Sequence, residues 1–140
     1  MPQNQPPFIS LAPCNVLICE DLETNIELAC SLTQGFGCTI TTACNGQEAI
    51  EHCRDQQFDA ILMDLAMPVI GGLEASRWIS SEENPNQRTP IIAVTADNDP
   101  IVKAGCNSFG IEYYMTKPID AATLHRILSE CKASAGAKSK

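Results

Sequence analysis

The chain has 140 residues, 44% of them hydrophobic and 19% charged, with a mean hydropathy of -0.05. That balance suits one packed domain and excludes a disordered chain or two independent cores. The formal net charge of -8, with no Lys or Arg before Arg54, argues against nucleic acid as a direct partner.

The opening MPQNQPPFISLAP is rich in Pro and Gln without periodicity and reads as a flexible extension over residues 1–14. Short apolar runs then alternate with helical patterns. Val16 to Cys19, Thr39 to Ala43, Ala60 to Met63, Ile91 to Val94 and Tyr113 to Met115 read as strands. Between and after them, apolar residues recur at helical spacing: Ile26, Ala29 and Leu32; Ala49, Ile50 and Cys53; Leu124, Ile127, Leu128 and Cys131. Asn45-Gly46 precedes the second helix, Gly71-Gly72 lies near the third, Pro90 opens the fourth strand, and Asp120 is placed to cap the last helix. SSEENPNQRTP reads as a loop, and residues 133–140, ending in SAGAKSK, as a flexible tail. Uniformly apolar strands alternating with amphipathic helices predict an α/β fold, a mainly parallel sheet covered on both faces, over residues 15–132.

Eight cysteines are present, Cys14, Cys19, Cys30, Cys38, Cys44, Cys53, Cys106 and Cys131, with no CxxC spacing. Several fall on apolar positions of the expected strands and helices, so they read as reduced packing residues and not as metal or redox sites or a disulfide framework. No apolar run reaches the ~20 residues of a membrane helix. The start lacks the pattern of a secretory signal. A cytoplasmic chain without membrane insertion is therefore expected.

In open parallel sheets, ligands bind beyond the carboxyl ends of the strands. Here the first strand ends in Glu20-Asp21, the third in Asp64, the fourth in Thr95, and the fifth runs into Lys117-Pro118. The second offers no ionisable group, as an edge strand away from the crevice would. Three carboxylates at one crevice repel one another unless a cation compensates. All-oxygen donors without His or Cys suit Mg²⁺. Thr95 adds a hydroxyl donor and Lys117 an ammonium able to pair with Asp64 or with a phosphoryl oxygen. Such a clamp matches phosphoryl transfer, which needs positioning and charge neutralisation more than covalent machinery. Taken singly, Asp64 reads as a solvated strand end, Glu20 and Asp21 as helix-dipole acids, and Thr95 and Tyr114 as ordinary strand residues; the combination reverses that reading. A Lys before Pro at an apolar strand end needs a nearby anion, because an unpaired buried ammonium is costly. His52 and His125 fall on helical positions that look exposed.

The segments VLICED, NGQEA, FDAILMDLAMPVIGGLEA, PIIAVTA and YYMTKPI together resemble a response-regulator receiver domain, from about Asn15 to about Lys132. The resemblance implies a (βα)5 doubly wound, flavodoxin-like fold with a five-stranded parallel sheet of order 2-1-3-4-5. It implies that Glu20, Asp21, Asp64 and the backbone carbonyl of Ala66 hold Mg²⁺, that Asp64 accepts the phosphoryl group, and that Thr95 and Lys117 contact the phosphate. Tyr114 matches an aromatic position that switches with Thr95, and Lys117-Pro118 matches a cis peptide bond. Ala66 and Asp97 match positions that tune the lifetime of the phosphate. Asn25, with Glu20 in place of a second Asp, is similar to receivers of hybrid histidine kinases, which implies a histidine kinase or histidine phosphotransfer protein as partner and a monomer or weak dimer. At Gly71 many relatives carry Asp.

Three rivals are weaker. A haloacid-dehalogenase-like phosphatase wants a second Asp two residues after the nucleophile, where this chain has Ala66. A flavodoxin-type electron carrier needs a phosphate cradle where Glu20, Asp21 and Glu23 stand. A pseudo-receiver would lack the full set of acids, Thr and Lys.

Overall fold

The computed structural model describes residues 8–67, 69–96 and 104–138. Five strands, β1 (Asn15–Cys19), β2 (Thr39–Ala43), β3 (Ala60–Asp64), β4 (Ile91–Thr95) and β5 (Tyr113–Thr116), pair all-parallel in the order β2-β1-β3-β4-β5. Around them lie α1 (Glu23–Gly35), α2 (Gly46–Asp55) and α3 (Gly72–Ser81). Helical residues 104–106, α4, then run into the 3-10 turn Asn107–Phe109, and α5 (Ala121–Lys138) closes the chain order. Among the described residues no helix is long and apolar enough to cross a membrane.

Side-chain alternation along the strands divides the interior into two apolar layers. On one face, Val16, Ile18, Leu62, Ile92 and Val94 meet Ala29 of α1 and Leu124, Ile127, Leu128 and Cys131 of α5. On the other, Leu17, Ile61, Met63 and Ile91 meet Ala49, Ile50 and Cys53 of α2, Ala75 and Ile79 of α3, and Cys106 of α4. The central strands β1, β3 and β4 are buried on both sides, which is why they read as continuous apolar runs. β2, at the edge, is mostly open and carries three threonines.

Local signals set the helix starts. Asn45 accepts a hydrogen bond from Glu48 N at 2.9 Å, and the Glu48 carboxylate accepts one from Cys44 N at 2.9 Å, a reciprocal cap on α2. Asp120 accepts from Thr123 N at 2.9 Å ahead of α5. Gly72 is required by close approach, since a Cβ there would run into the backbone carbonyl of Asp64. That contact lets α3 start directly behind the strand end that carries Asp64.

Three expectations are corrected. The described part of the N-terminal extension is not loose. Phe8 stacks edge-on to Phe36 at 5.3 Å between ring centroids, Leu11 is buried and its N–H donates to Phe36 O at 2.7 Å, and Lys132 Nζ donates to the carbonyls of Leu11 and Pro13 at 2.6 and 2.7 Å. His125, which looked exposed, packs its ring 4.9 Å from both Phe8 and Phe36, and its Nε2 lies 2.8 Å from Ile9 O. At the other end α5 continues to Lys138, through most of the stretch expected as a flexible tail. The segment SSEENPNQRTP, read as a loop, is anchored as well. In the segment between α3 and β4, Asn86 is fully buried; its amide donates to Cys53 O and Gln56 O at 2.8 and 2.7 Å and accepts from Phe58 N at 2.7 Å and Thr89 Oγ1 at 3.0 Å.

Removing that amide takes a partner from three backbone groups of the α2–β3 connection, two of them in buried hydrogen bonds. Each such orphan costs about 1–3 kcal/mol. Asn86→Ala is therefore expected to lower unfolding free energy by roughly 3 kcal/mol or more, read as a shift of the urea midpoint at unchanged slope.

Candidate functional site

The carboxyl ends of β1, β3, β4 and β5 meet at one end of the sheet, and parallel register brings their last residues together. Cys19 is level with Met63, Asp64 with Val94, and Thr95 with Thr116. Glu20 continues from β1, its N–H donating to Ala43 O at 2.9 Å, and Lys117 N donates to Thr95 O at 2.8 Å. The peptide bond Lys117-Pro118 is cis, as the resemblance implied.

At this end Lys117 Nζ sits 3.1 Å from Glu20 Oε1 and 3.2 Å from Asp64 Oδ2. One ammonium thus bridges two acids, where the sequence suggested pairing with Asp64. Glu20 and Asp64 are almost fully buried, at 4% and 3% exposure, while Asp21 is open to solvent. Oxygens of Glu20, Asp21 and Asp64 lie within 4.8 Å of one another, a grouping that could hold a metal ion. Asp64 Oδ1 accepts from Ala66 N at 3.1 Å, which fixes the carboxylate plane and turns Oδ2 toward Lys117.

The electrostatics carry the mark of crowded acids. Burial, with a hydrogen bond shared with Asp64, pushes the Glu20 carboxyl up from 4.5 to about 7 despite Lys117 beside it. For Lys117, burial pulls the ammonium pKa down, but the hydrogen bond to Glu20 and the charge of Asp64 outweigh it and the net direction is up. Two buried acids and one exposed acid against one ammonium leave negative charge that a divalent, oxygen-seeking cation would offset. The donor set therefore fits Mg²⁺ on its own chemistry.

Thr95 is buried at the end of β4, on the same face of the sheet as Ala93, whose register partner is Tyr114 of β5. Tyr114 is half-buried and packs against the layer formed with α2, α3 and α4. Thr95 and Tyr114 are thus diagonal neighbours on one face. Beside Lys117 runs a cleft lined by Glu20, Asn25, Leu28, Pro118 and Ile119. Leu28 carried no signal in the sequence; it is a helix position 39% exposed, and only its place beside the cleft draws notice. In the β3–α3 loop the β-branched Val69 adopts φ 68° and is 81% exposed, a strained conformation for that residue type. Asp97 lies outside the described residues.

The chain as a whole is similar to known proteins. The family model for the response regulator receiver domain matches residues 16–129. The polar-differentiation response regulator DivK of Brucella anthropi is 36% identical over 112 residues, which cover 76% of this chain and 86% of that protein. The autoinducer sensor kinase/phosphatase CqsS of Vibrio cholerae is 33% identical over 109 residues, 78% of this chain but 16% of that much longer protein. Among solved structures, the receiver domain of a sensor histidine kinase from Pseudomonas aeruginosa, with a magnesium ion coordinated in its active-site cleft, superposes with a TM-score of 0.79 at 33% identity, covering 86% of this chain and 98% of that one. With the family matched from β1 into α5, and with a relative of similar length sharing a third of its residues, the chain belongs to the response regulator receiver domains of two-component signalling.

Proposed function

We propose that Asp64 is the phosphoacceptor of a phosphorelay, taking a phosphoryl group from a phosphohistidine on a histidine kinase or histidine phosphotransfer protein. The supporting observation is the bridging of Glu20 and Asp64 by Lys117 next to Asp21, at the mouth of the sheet. Mg²⁺, held by Glu20, Asp21, Asp64 and the carbonyl of Ala66, would supply the positive charge that neutralises the incoming phosphoryl oxygens. The chain's own groups do the remainder. Ala66 N orients the Asp64 carboxylate by holding its Oδ1, and one carboxylate oxygen acts as the nucleophile. That oxygen bonds to phosphorus as the donor's P–N bond breaks, and the imidazole leaves with the bonding pair and takes up a proton. Lys117 is already positioned on the attacking carboxylate and can turn to a phosphoryl oxygen as the acid's own charge is consumed. Burial of Asp64 keeps these contacts in a low dielectric.

The switch would run through Thr95 and Tyr114. A phosphoryl group on Asp64 draws the Thr95 hydroxyl toward it, which changes the space open to Tyr114 on the same face and biases the surface around α4, β5 and α5 between two states. We place the chain in the cytoplasm, as a monomer or weak dimer whose partner docks at the cleft beside Asn25 and Leu28.

Mg²⁺ with acetyl phosphate or phosphoramidate is expected to add one phosphoryl group by intact mass, and Asp64→Asn to add none; a modified Asp64→Asn protein would move the assignment elsewhere. Lys117→Ala should retain the fold yet slow phosphorylation at least tenfold, for the loss of one charge-assisted contact worth about 1.5–3 kcal/mol. Tyr114→Ala should accept the phosphoryl group at the normal rate but abolish the phosphorylation dependence of partner affinity, measured by calorimetry with and without phosphodonor. If affinity still responds, the Thr95–Tyr114 coupling is wrong.

A last expectation concerns pH in chelator-treated protein. Because folding raises the Glu20 pKa from 4.5 to about 7, the folded state holds that proton longer than the unfolded chain, so Glu20 favours folding at low pH and that advantage is lost as pH rises through about 7. The Lys117 shift, upward, is constant in its effect over this window. Glu20→Gln should therefore stabilise the metal-free protein by roughly 1–2 kcal/mol at pH 8 and flatten its stability between pH 4.5 and pH 7.

A further inference from the structure

At the end of the sheet opposite Asp64, β1 and β2 begin side by side. Their register starts at Asn15 and Thr39, and Thr39 N donates to Cys14 O at 2.7 Å. The residues one step earlier in each strand are Cys14 and Cys38. Alternation sends both side chains to the same face, and both belong to the layer packed by α1 and α5. Neighbouring strands run about 4.8 Å apart, inside the range of about 4.4–6.8 Å that a disulfide spans between Cα atoms. No other two of the eight cysteines stand at one register level on adjacent strands among the described residues.

We propose that Cys14 and Cys38 are a redox pair that closes reversibly to an intramolecular disulfide under peroxide. Their surroundings distinguish the two thiols. The Cys14 thiol hydrogen-bonds to the Cys38 sulfur, which holds Cys38 below its ordinary range and drives Cys14 above it. The ammonium of Lys132, tied to the carbonyls of Leu11 and Pro13, favours a thiolate on either sulfur, against burial and the charge of Asp59. Cys38 is thus the attacking sulfur and Cys14 the resolving one. The Cys38 thiolate attacks one oxygen of hydrogen peroxide, becoming a sulfenic acid while the other oxygen leaves as hydroxide and takes a proton to give water. The Cys14 sulfur then attacks the sulfenic sulfur, forming the S–S bond and releasing a second water. Two thiols and one peroxide give one disulfide and two waters.

Access is controlled by the N-terminal strap. Cys14 and Cys38 are 3% and 6% exposed, beneath residues 8–13, which are held by the Phe8, Phe36 and His125 rings and by Lys132. Closing the bond would staple the edge strand β2 to β1 and trap the strap's junction with the sheet. The site is independent of the phosphoacceptor reading, since it uses none of those residues and lies at the opposite end of the sheet.

The test exposes the native chain to hydrogen peroxide near neutral pH, quenches it, denatures it, alkylates it with N-ethylmaleimide and reads the intact mass. Eight cysteines give eight adducts in the reduced protein; closure of the pair leaves two fewer, and peptide mapping without reductant should return one peptide joining Cys14 to Cys38. Dithiothreitol should restore all eight. In Cys14→Ser, Cys38 should instead be trapped as a sulfenic acid by dimedone, and Cys38→Ser should show neither product. Eight adducts after peroxide, irreversible oxidation alone, or a cross-link between another pair such as Cys19 and Cys53 would overturn the proposal; the wild-type peptide map decides even if a variant fails to fold.

Discussion

One half-buried ammonium holds the functional end of this molecule together. Lys117 lies within about hydrogen-bonding distance of two acids that are almost wholly removed from water, and without it their repulsion at that separation would be poorly screened. The ion pair does not balance the site. Three acids face one ammonium, and burial above all pushes the Glu20 carboxyl up, so added positive charge would be accommodated there. A structure organised for stability alone would gain by replacing such a cluster with apolar residues; this one keeps the electrostatic cost where a charged group is to be received.

The doubly wound sheet makes that cluster possible. Parallel strands point all their carboxyl ends one way, and a strand order that turns at β1 and β3 leaves a crevice between their loops. Apolar layers on both faces bury β3 and β4 up to their last residues, so Asp64 and Thr95 are delivered to the rim by the strands themselves. The close approach of Gly72 to the Asp64 carbonyl tightens the same rim from behind.

The opposite end of the sheet is organised differently. There the chain entering β1 is clamped onto α5 by Lys132 and by aromatic packing around His125, and the paired thiols lie under this clamp. The two ends share strand β1 but differ in their groups, carboxylates and an ammonium at one and a pair of thiols at the other. Because α5 also borders the face proposed to respond to Tyr114, the clamp ties the segment ahead of the domain to a helix on the signalling side.

Much of the fold was legible in the residues themselves. Apolar runs at strand length, helical spacing between them and punctuation at Asn45, Gly72 and Asp120 are local properties, and local propensity survives into the folded state wherever packing agrees with it. The placement of the strand-end residues was legible too, because a parallel sheet converts position in sequence into position in space; Glu20, Asp21, Asp64, Thr95 and Lys117 lie at one end of the sheet. Only the tertiary structure decided what depends on partners distant along the chain. Asn86 sits in a polar stretch that reads as solvated, and its burial follows from backbone groups of the α2–β3 connection that need its amide. His125 and the strap read as exposed because the rings that cover them come from the far end of the chain. The sharing of Lys117 between two acids, and the side-by-side placement of Cys14 and Cys38, likewise depend on distances that folding alone sets, since residues far apart in sequence acquire a common environment only when the sheet brings their strands into register.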